Sequence, residues 1–227
     1  MANCLKETCI LAVATLLASS APTLAQDWSG AFYGGSLGYG TGSYTQGIEA
    51  RDLVGVDVEV SGLIYGAHAG FRMQSGALVF GIDAGLSSGP DGATGEGADG
   101  PNIDCNTGDC LININALGTL RARVGVVTDI RTVVYGAAGL AVATVDGGIA
   151  NSFQEGSSTA TGVTYALGVE RITSPFSTIF AEIGYYDLGT LTFGTDENFG
   201  QTPPPTLSDF TAEGDFLTLT IGVNYAF

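Results

Sequence analysis

The chain has 227 residues, with 7 Lys and Arg against 23 Asp and Glu, which gives a net charge of −16 at pH 7. This excess of acid opposes a nucleic-acid partner, because binding to phosphate requires a basic surface. Strong acidity is also typical of disordered chains, but a hydrophobic content of 45% argues for a folded protein. The composition therefore favours an ordered, acidic protein without a basic patch.

The first 25 residues have the pattern of a secretory signal peptide. Lys6 precedes a short apolar run, and Thr23 and Ala25 stand at the −3 and −1 positions of a small-residue cleavage site. The apolar run is too short to cross a bilayer as a helix. We therefore expect the signal peptide to span residues 1–25 and a single mature domain to span residues 26–227. That mature chain contains six arginines and no lysine.

From residue 28 onward, apolar residues alternate with small or polar ones, as in half-buried β-strands. The alternation runs through "GAFYGGSLGYG", "GLIYGAHAGFRM", "ALVFGIDAGLS", "ININALGTLRARVGVV", "GVTYALGVER", "STIFAEIGYYDLG" and "LTLTIGVNYAF". In the fourth of these segments it predicts that Ile112 and Ile114 share the apolar face of Leu120. One further strand, at residues 132–146, is apolar on both faces, so the pattern does not orient it.

The eight predicted strands are joined by connections of two alternating lengths. Short connections containing turn residues fall at 74–76, 128–131 and 172–175, and long ones rich in Gly, Asp, Ser and Thr fall at 41–61, 88–111, 146–160 and 190–213. This alternation places every long connection at the same end of the strands. It predicts an all-β fold, an eight-stranded antiparallel up-and-down barrel with four long loops and three short turns.

The polar face of the strands is better suited to a barrel interior than to a water-exposed wall. It consists of Gly, Ser, Thr and Asn with a few charges, whereas solvated faces are rich in Lys and Glu. The charges balance, as a narrow interior requires, because an unpaired buried charge is costly. The opposite face is apolar for about ten residues per strand, as in membrane-spanning strands. The predicted lumen charge network is Arg72, Asp83, Arg121, Arg123, Glu170 and Glu182.

Five motifs resemble the eight-stranded outer-membrane barrels of Gram-negative bacteria, and in particular the porin-like surface-protein family, whose barrel is similar to that of OmpA. The motifs are "WSGAFYGGSLGYG", "TLRARVGVV", "VYGAAGLAVA", "AEIGYYDLG" and "LTIGVNYAF". The resemblance implies a location in the outer membrane, with the N-terminus and short turns in the periplasm and the long loops outside the cell. It also implies contact with outer-membrane lipid and lipopolysaccharide.

The same resemblance implies that the last strand, with Tyr225 and the terminal Phe227, is read by the outer-membrane assembly machinery. OmpA-type proteins often add a peptidoglycan-binding domain, which we expect this chain to lack because it ends at Phe227. We expect a monomer. Five aromatic residues near strand ends are interpreted as membrane-interface side chains: Trp28, Tyr33, Tyr185, Tyr225 and Phe227.

Cys105 and Cys110 stand in "CNTGDC" within the second long connection. In an exported protein this spacing favours a small disulfide ring. Metal binding is the alternative, which the absence of a nearby histidine disfavours. The acidic residues of the same connection could attract Ca²⁺ or Mg²⁺, but their spacing matches no defined loop motif.

The sequence leaves two main functions open. The leading hypothesis is a non-enzymatic structural and surface protein whose lumen is plugged by side chains, since an eight-stranded interior is narrow. The alternative is a narrow porin-like channel for small solutes or ions. We expect no catalytic residue, because His68 lies on the lumen face without a nucleophile in a strained turn. We also expect no cofactor and no bound metal. A soluble lipocalin-like carrier is a remote third possibility, which the charged inner face opposes.

Overall fold

The structure, a computed structural model, describes residues 27–48, 56–93, 110–150, 155–194 and 210–226. Over these ranges the strands are β1 (Gly30–Ile48), β2 (Val56–Ser75), β3 (Leu78–Ser87), β4 (Asp91–Ala93), β5 (Cys110–Asp129), β6 (Thr132–Ile149), β7 (Glu155–Ser174), β8 (Ser177–Gly194) and β9 (Phe210–Ala226). Within them no helix is long and apolar enough to cross a membrane. The predicted signal peptide at residues 1–25 lies outside the described ranges, and its cleavage stays a prediction.

The strands form a closed antiparallel ring with eight positions. Each long strand pairs with its neighbours in the sequence, and β1 closes the ring by pairing with both β2 and β9. The short β4 continues the position of β3, since it pairs with the same two neighbours, β2 and β5. The predicted eight-stranded antiparallel barrel is confirmed. Among the described strands, closure leaves no unpaired edge. An unpaired edge would be strongly unfavourable in lipid.

The strands are strongly staggered around the ring. A row of paired residues that starts at Thr132 on β6 passes through Gly35 on β1 and returns to β6 at Val142. The row has therefore climbed ten residues in one circuit. A stagger of this size requires the strands to tilt by roughly 40° from the barrel axis. The tilt fixes which side chains of distant strands meet in the lumen.

Three two-residue turns lie at one end of the barrel, which we call the turn end, at residues 76–77, 130–131 and 175–176. Gly76 adopts φ +62°, a left-handed conformation that glycine adopts without strain. The predicted short connections overlap these turns but begin too early, because the strands continue to the turns themselves. At the opposite end, the loop end, the strands run into the remaining undescribed segments.

The strands also extend further toward the loop end than the sequence analysis predicts. β2 begins at Val56 and β9 at Phe210, both inside segments that were predicted to be long connections. In β2 the alternation continues across this stretch, but its polarity is inverted. Val58 points inward and is fully buried while Glu59 faces solvent, whereas Leu63 further along is 68% exposed on the outer face. The inversion marks where the barrel wall changes from lipid-facing to water-facing.

Inside this extension the side chains form an apolar cluster, which we call the loop-end core. Its members are buried residues from seven strands: Tyr44, Val56, Val58, Val60, Cys110, Ile112, Ile114, Leu117, Ala141, Ala143, Val145, Ile149, Ala160, Tyr186, Leu188, Leu191, Phe193, Phe210, Ala212 and Phe216. Tyr186 and Phe216 stack across it with ring centroids 4.8 Å apart. Burial raises the pKa of Tyr44 well above its usual range. The loop end is thus built like the core of a water-soluble barrel.

Two assignments of strand faces are settled by the structure. Ile112 and Ile114 point inward rather than sharing the outer face of Leu120, so that prediction was wrong. The physical reason is a β-bulge between Ile114 and Ala116, which adds one residue and switches the alternation. The strand at 132–146, which the sequence left unoriented, points Tyr135 and its alternate residues inward.

A continuous belt of exposed apolar side chains surrounds the barrel between the extension and the turns, and exposure of this extent is typical of a lipid-facing wall. Its large members are Tyr33, Leu37, Tyr39, Leu63, Tyr65, Phe71, Met73, Phe80, Ile82, Leu86, Leu120, Val124, Val126, Val134, Leu140, Val142, Val163, Tyr165, Leu167, Val169, Ile179, Ile183, Leu217, Leu219, Ile221, Val223 and Tyr225. We call it the lipid belt.

Candidate functional site: the charged lumen

All six residues of the predicted charge network point into the lumen, where they form two groups of ion pairs. The first group is centred on Glu170 and the second on Arg121. The six come from β2, β3, β5, β7 and β8, so the tilt and closure of the barrel bring them together. Three positive and three negative charges share this layer, and its formal charge is zero.

Glu170 on β7 is completely buried and is held by four side chains. Its Oε1 lies 2.6 Å from Arg72 Nη1, and its Oε2 lies 3.2 Å from Arg123 Nη2. The hydroxyl of Thr178 and the Nδ2 of Asn224, the latter at 2.8 Å, donate hydrogen bonds to Oε1. A buried carboxylate with this many donors is well compensated for its lost hydration.

Arg121 on β5 bridges two carboxylates in the second group. Its Nε lies 2.9 Å from Asp83 Oδ1, and its Nη1 lies 2.7 Å from Glu182 Oε1. The hydroxyl of Tyr135 donates to the other oxygen of Glu182 at 2.9 Å. The guanidinium of Arg123 stands 3.8 Å from the centroid of the Tyr135 ring, which joins the two groups.

Phe32 and Tyr135 are lumen residues that the sequence analysis missed. Phe32 is 1% exposed, and its ring centroid lies 4.4 Å from the guanidinium of Arg72. The signal for Phe32 was present, because it stands on the same face as the lumen-facing Gly34. Tyr135 gave no such signal, because its strand is apolar on both faces.

His68 occupies the same layer on β2. Its Nε2 is 2.6 Å from Oδ1 of Asn224, and its ring makes edge contacts with Phe32 and Phe180, with centroids 6.2 and 5.3 Å away. The Nδ2 of Asn224 in turn donates a hydrogen bond to Glu170. His68 is therefore a hydrogen-bonded member of the lumen network, enclosed on two sides by aromatic rings.

The turn end of the lumen is closed by an apolar cluster of Trp28, Val79, Val133, Tyr135 and Ile172, which we call the turn-end plug. Trp28 is 4% exposed and stands 5.5 Å from the guanidinium of Arg72. The prediction that Trp28 is a membrane-interface side chain was therefore wrong. Trp28 continues the inward-facing alternation of Phe32 and Gly34, so it enters the lumen instead of the membrane interface.

Gln74 at the end of β2 holds this incoming segment in place. The backbone N–H of Trp28 donates to Gln74 Oε1 at 2.9 Å, and the backbone N–H of Gln74 donates to Ser29 Oγ at 2.9 Å. The Nε2 of Gln74 also donates to the carbonyl of Gly76 at 2.8 Å. Hydrogen bonds from the hydroxyl and backbone N–H of Ser29 hold the pKa of the Asp27 carboxyl below its usual value.

Between the turn-end plug and the loop-end core lies a polar cavity of about 60 Å³. Its lining includes His68, Asp83, Arg121, Glu182 and Asn224. Oδ2 of the buried Asp83 has no hydrogen-bond partner among the described residues. A polar cavity of this volume accommodates roughly four water molecules, which would satisfy such an oxygen.

Most of the chain matches a known domain family. The model of the outer membrane protein beta-barrel domain aligns with residues 11–227. The chain belongs to this family. The 31 kDa outer-membrane immunogenic proteins of Brucella melitensis and Brucella suis are each 28% identical over 225 residues, covering 92% of this chain and 89% of theirs. The predicted outer-membrane location and the predicted family are confirmed.

Solved structures support the fold of this outer-membrane barrel. The outer membrane protein OprG from Pseudomonas aeruginosa superposes with a TM-score of 0.53 at 11% sequence identity. The match covers 89% of this chain and 99% of OprG. At this level of identity the likeness concerns the fold alone.

The structure describes only some of the other features that were predicted for this chain. Tyr33 and Tyr225 stack on the outer face near the turn end with centroids 5.8 Å apart, and Tyr185 is partly exposed near the loop end. Phe227 lies outside the described residues, so its role in assembly stays a prediction. Cys110 is buried at the start of β5, but Cys105 is also outside them. The disulfide likewise stays a prediction. Most of the acidic connection, for which Ca²⁺ or Mg²⁺ binding was left open, also lies outside the described residues.

Proposed function

We propose that this outer-membrane barrel is a non-conducting structural and surface protein, and not an enzyme. The observation that carries the proposal is that side chains fill the lumen at three successive levels. The turn-end plug, the charge network and the loop-end core follow one another along the barrel axis. An ion that crossed the lumen would have to displace buried apolar side chains at both ends.

The charge network supports this role rather than a selectivity filter. In a conducting pore the charged groups face water, but Glu170 is fully buried and Arg72 is 4% exposed. Each carboxylate is bound directly to a guanidinium. Separating such pairs without an aqueous path leaves uncompensated charge, which is strongly unfavourable. The network therefore blocks the lumen and holds opposite strands of the barrel together.

An enzymatic role is opposed by the surroundings of the lumen histidine. His68 is engaged by Asn224 and enclosed by Phe32 and Phe180, so a substrate could not approach its ring without unpacking the lumen.

The surface role is assigned to the extension beyond the lipid belt. Its inner side is apolar and its outer side carries Asp57, Glu59, Glu213 and Asp215, all solvent-exposed. We propose that it projects from the cell as a rigid wall and supports the long connections beyond the membrane. Outer-membrane lipid, lipopolysaccharide and the assembly machinery are the proposed partners of a monomeric barrel.

Conductance across a planar bilayer tests the proposal. The mature chain is refolded, and its insertion is checked by vesicle flotation and by a heat-modifiable gel shift, so that silence is not mistaken for missing protein. We expect no discrete current steps. Reproducible steps that change in size or selectivity in R121Q or E182Q would overturn the proposal and support the narrow channel.

A further inference from the structure

The outer wall of the barrel carries a long apolar groove of about 1,310 Å³ within the lipid belt. It follows the stagger of the strands, from Leu86 on β3 near the loop end to Arg171 on β7 near the turn end. In the half nearest the turn end, which we call the lower half, the groove runs over Ile179, Val223 and Gly35, which lie in one paired row. A groove lined by these residues suits a hydrocarbon chain.

The turn end of this groove carries the exposed positive charge of the described ranges. The described ranges contain five arginines, and three of them point into the lumen. The remaining two, Arg131 and Arg171, are exposed and lie side by side. Thr132 pairs directly with Arg171, and the backbone N–H of Ile172 donates to the carbonyl of Arg131 at 2.8 Å. The exposed positive charge of these ranges is therefore concentrated where the groove reaches the turn end.

Among the described residues, the acid beside the two arginines is Asp129, whose carboxylate interacts with Arg171. Oδ1 of Asp129 accepts the backbone N–H of Arg131 at 2.7 Å, which engages that oxygen in the turn. The other groove residues near this end are the apolar Val169 and Ile179 and the uncharged Thr132. The local charge at the end of the groove remains positive, although the chain as a whole carries −16.

We propose that the lower half of this groove is a binding site for an anionic glycerophospholipid. The phosphate lies between the guanidiniums of Arg131 and Arg171, and one acyl chain runs along Ile179, Val223 and Gly35. An arginine at an anionic lipid surface contributes about a fivefold gain in affinity. The proposed orientation, with the turn end in the periplasm, makes the occupant a lipid of the inner leaflet.

Native mass spectrometry of the refolded mature barrel in a non-ionic detergent tests the site. The barrel is titrated in parallel with dioleoylphosphatidylglycerol, which is anionic, and with dioleoylphosphatidylcholine, which has the same chains and no net charge. We expect tighter binding of the anionic lipid by roughly tenfold or more from two arginines, and loss of that preference in R131Q/R171Q. R171K should retain most of it.

A pair of glycine variants tests the groove separately from the charge. A Cβ at Gly35 would meet only the carbonyl of Gly66 at 3.6 Å, and one at Gly118 on β5 would meet only that of Val142 at 3.7 Å. Both positions therefore accept a larger residue. We expect G35L, which fills the lower groove, to weaken binding of the anionic lipid several-fold, and the matched G118L, which lies outside it, to bind like wild type.

Three results would overturn the proposal. They are equal binding of the two lipids by the wild-type barrel, an undiminished preference in R131Q/R171Q, and G35L binding that matches G118L. A dimer lost in G35L but kept in R131Q/R171Q would assign the groove to a second copy of the chain instead. The assay does not depend on conductance or on orientation in the cell, so its failure is distinguishable from failure of the proposed function.

Discussion

Glu170 and Arg72 lie 98 residues apart in the chain, yet their side chains meet at 2.6 Å in the centre of the lumen. Glu170 also neutralises Arg123, so one carboxylate serves two guanidiniums from different strands. The pairing locks β7 to β2 and β5 across the barrel, where no backbone hydrogen bond can reach. The stability of the closed ring should depend on this residue more than on any single exposed acid.

Replacing Glu170 by Gln should destabilise the barrel by about 3–5 kcal/mol, because two buried guanidiniums lose their counter-charge. The measurement is urea-induced unfolding of the refolded barrel in lipid vesicles. The matched control is E59Q, which neutralises an exposed acid on the extension and should change the free energy of unfolding by less than about 0.5 kcal/mol. Equal effects of the two variants would contradict a stabilising role for the network.

Tyr135→Phe should reduce the unfolding free energy by about 1.5–3 kcal/mol, since the hydroxyl donates to the buried Glu182 carboxylate. Tyr39→Phe removes a hydroxyl from the exposed outer face and serves as the control. The same unfolding experiment measures both. If Y135F proves as stable as Y39F, the second group of the network does not depend on this hydrogen bond.

Phe216→Ala should cost about 3–5 kcal/mol, because it opens a cavity in the loop-end core beside Tyr186. The adjacent Leu217 points outward into the lipid belt, where lipid can fill the space, so L217A should cost clearly less. Limited proteolysis adds a second readout. F216A should become cleavable at the loop end while the membrane-embedded strands stay protected, and the reverse order of sensitivity would refute the separate loop-end core.

Gln74→Leu should release the segment before β1 from the turn end, since the amide of Gln74 can no longer accept from Trp28. Trp28 is the single tryptophan of the chain, so intrinsic fluorescence reports on it alone. We expect a red-shifted emission and stronger quenching by acrylamide in Q74L. The neighbouring S75A is the control and should resemble wild type. Unchanged spectra in Q74L would show that the plug holds without this clamp.

Much of the barrel could be predicted because alternation is a local property. Arg121 and Arg123 stand two residues apart, so they must share one face of their strand. The glycines of that face indicate that it is not a wall exposed to water. The same rule failed at Ile112, where a bulge changes the phase. Trp28 was assigned to the membrane interface from its place near a strand end, although its alternation with Phe32 puts it in the lumen. Connections were also predicted where strands continue, because the acidic, outward-facing residues of β2 resemble those of a loop.

The sequence by itself determined the architecture of this outer-membrane protein, since a period of two with one apolar face leaves a closed barrel as the solution in lipid. It also determined which charges share the interior. Only the tertiary structure decided their partners, the two closed ends of the lumen and the outer groove. The physical reason is that these depend on how the strands pair. The ten-residue stagger around the ring sets Arg72 opposite Glu170, and the register of β6 against β7 sets Arg131 beside Arg171. No pattern within a single strand contains that stagger.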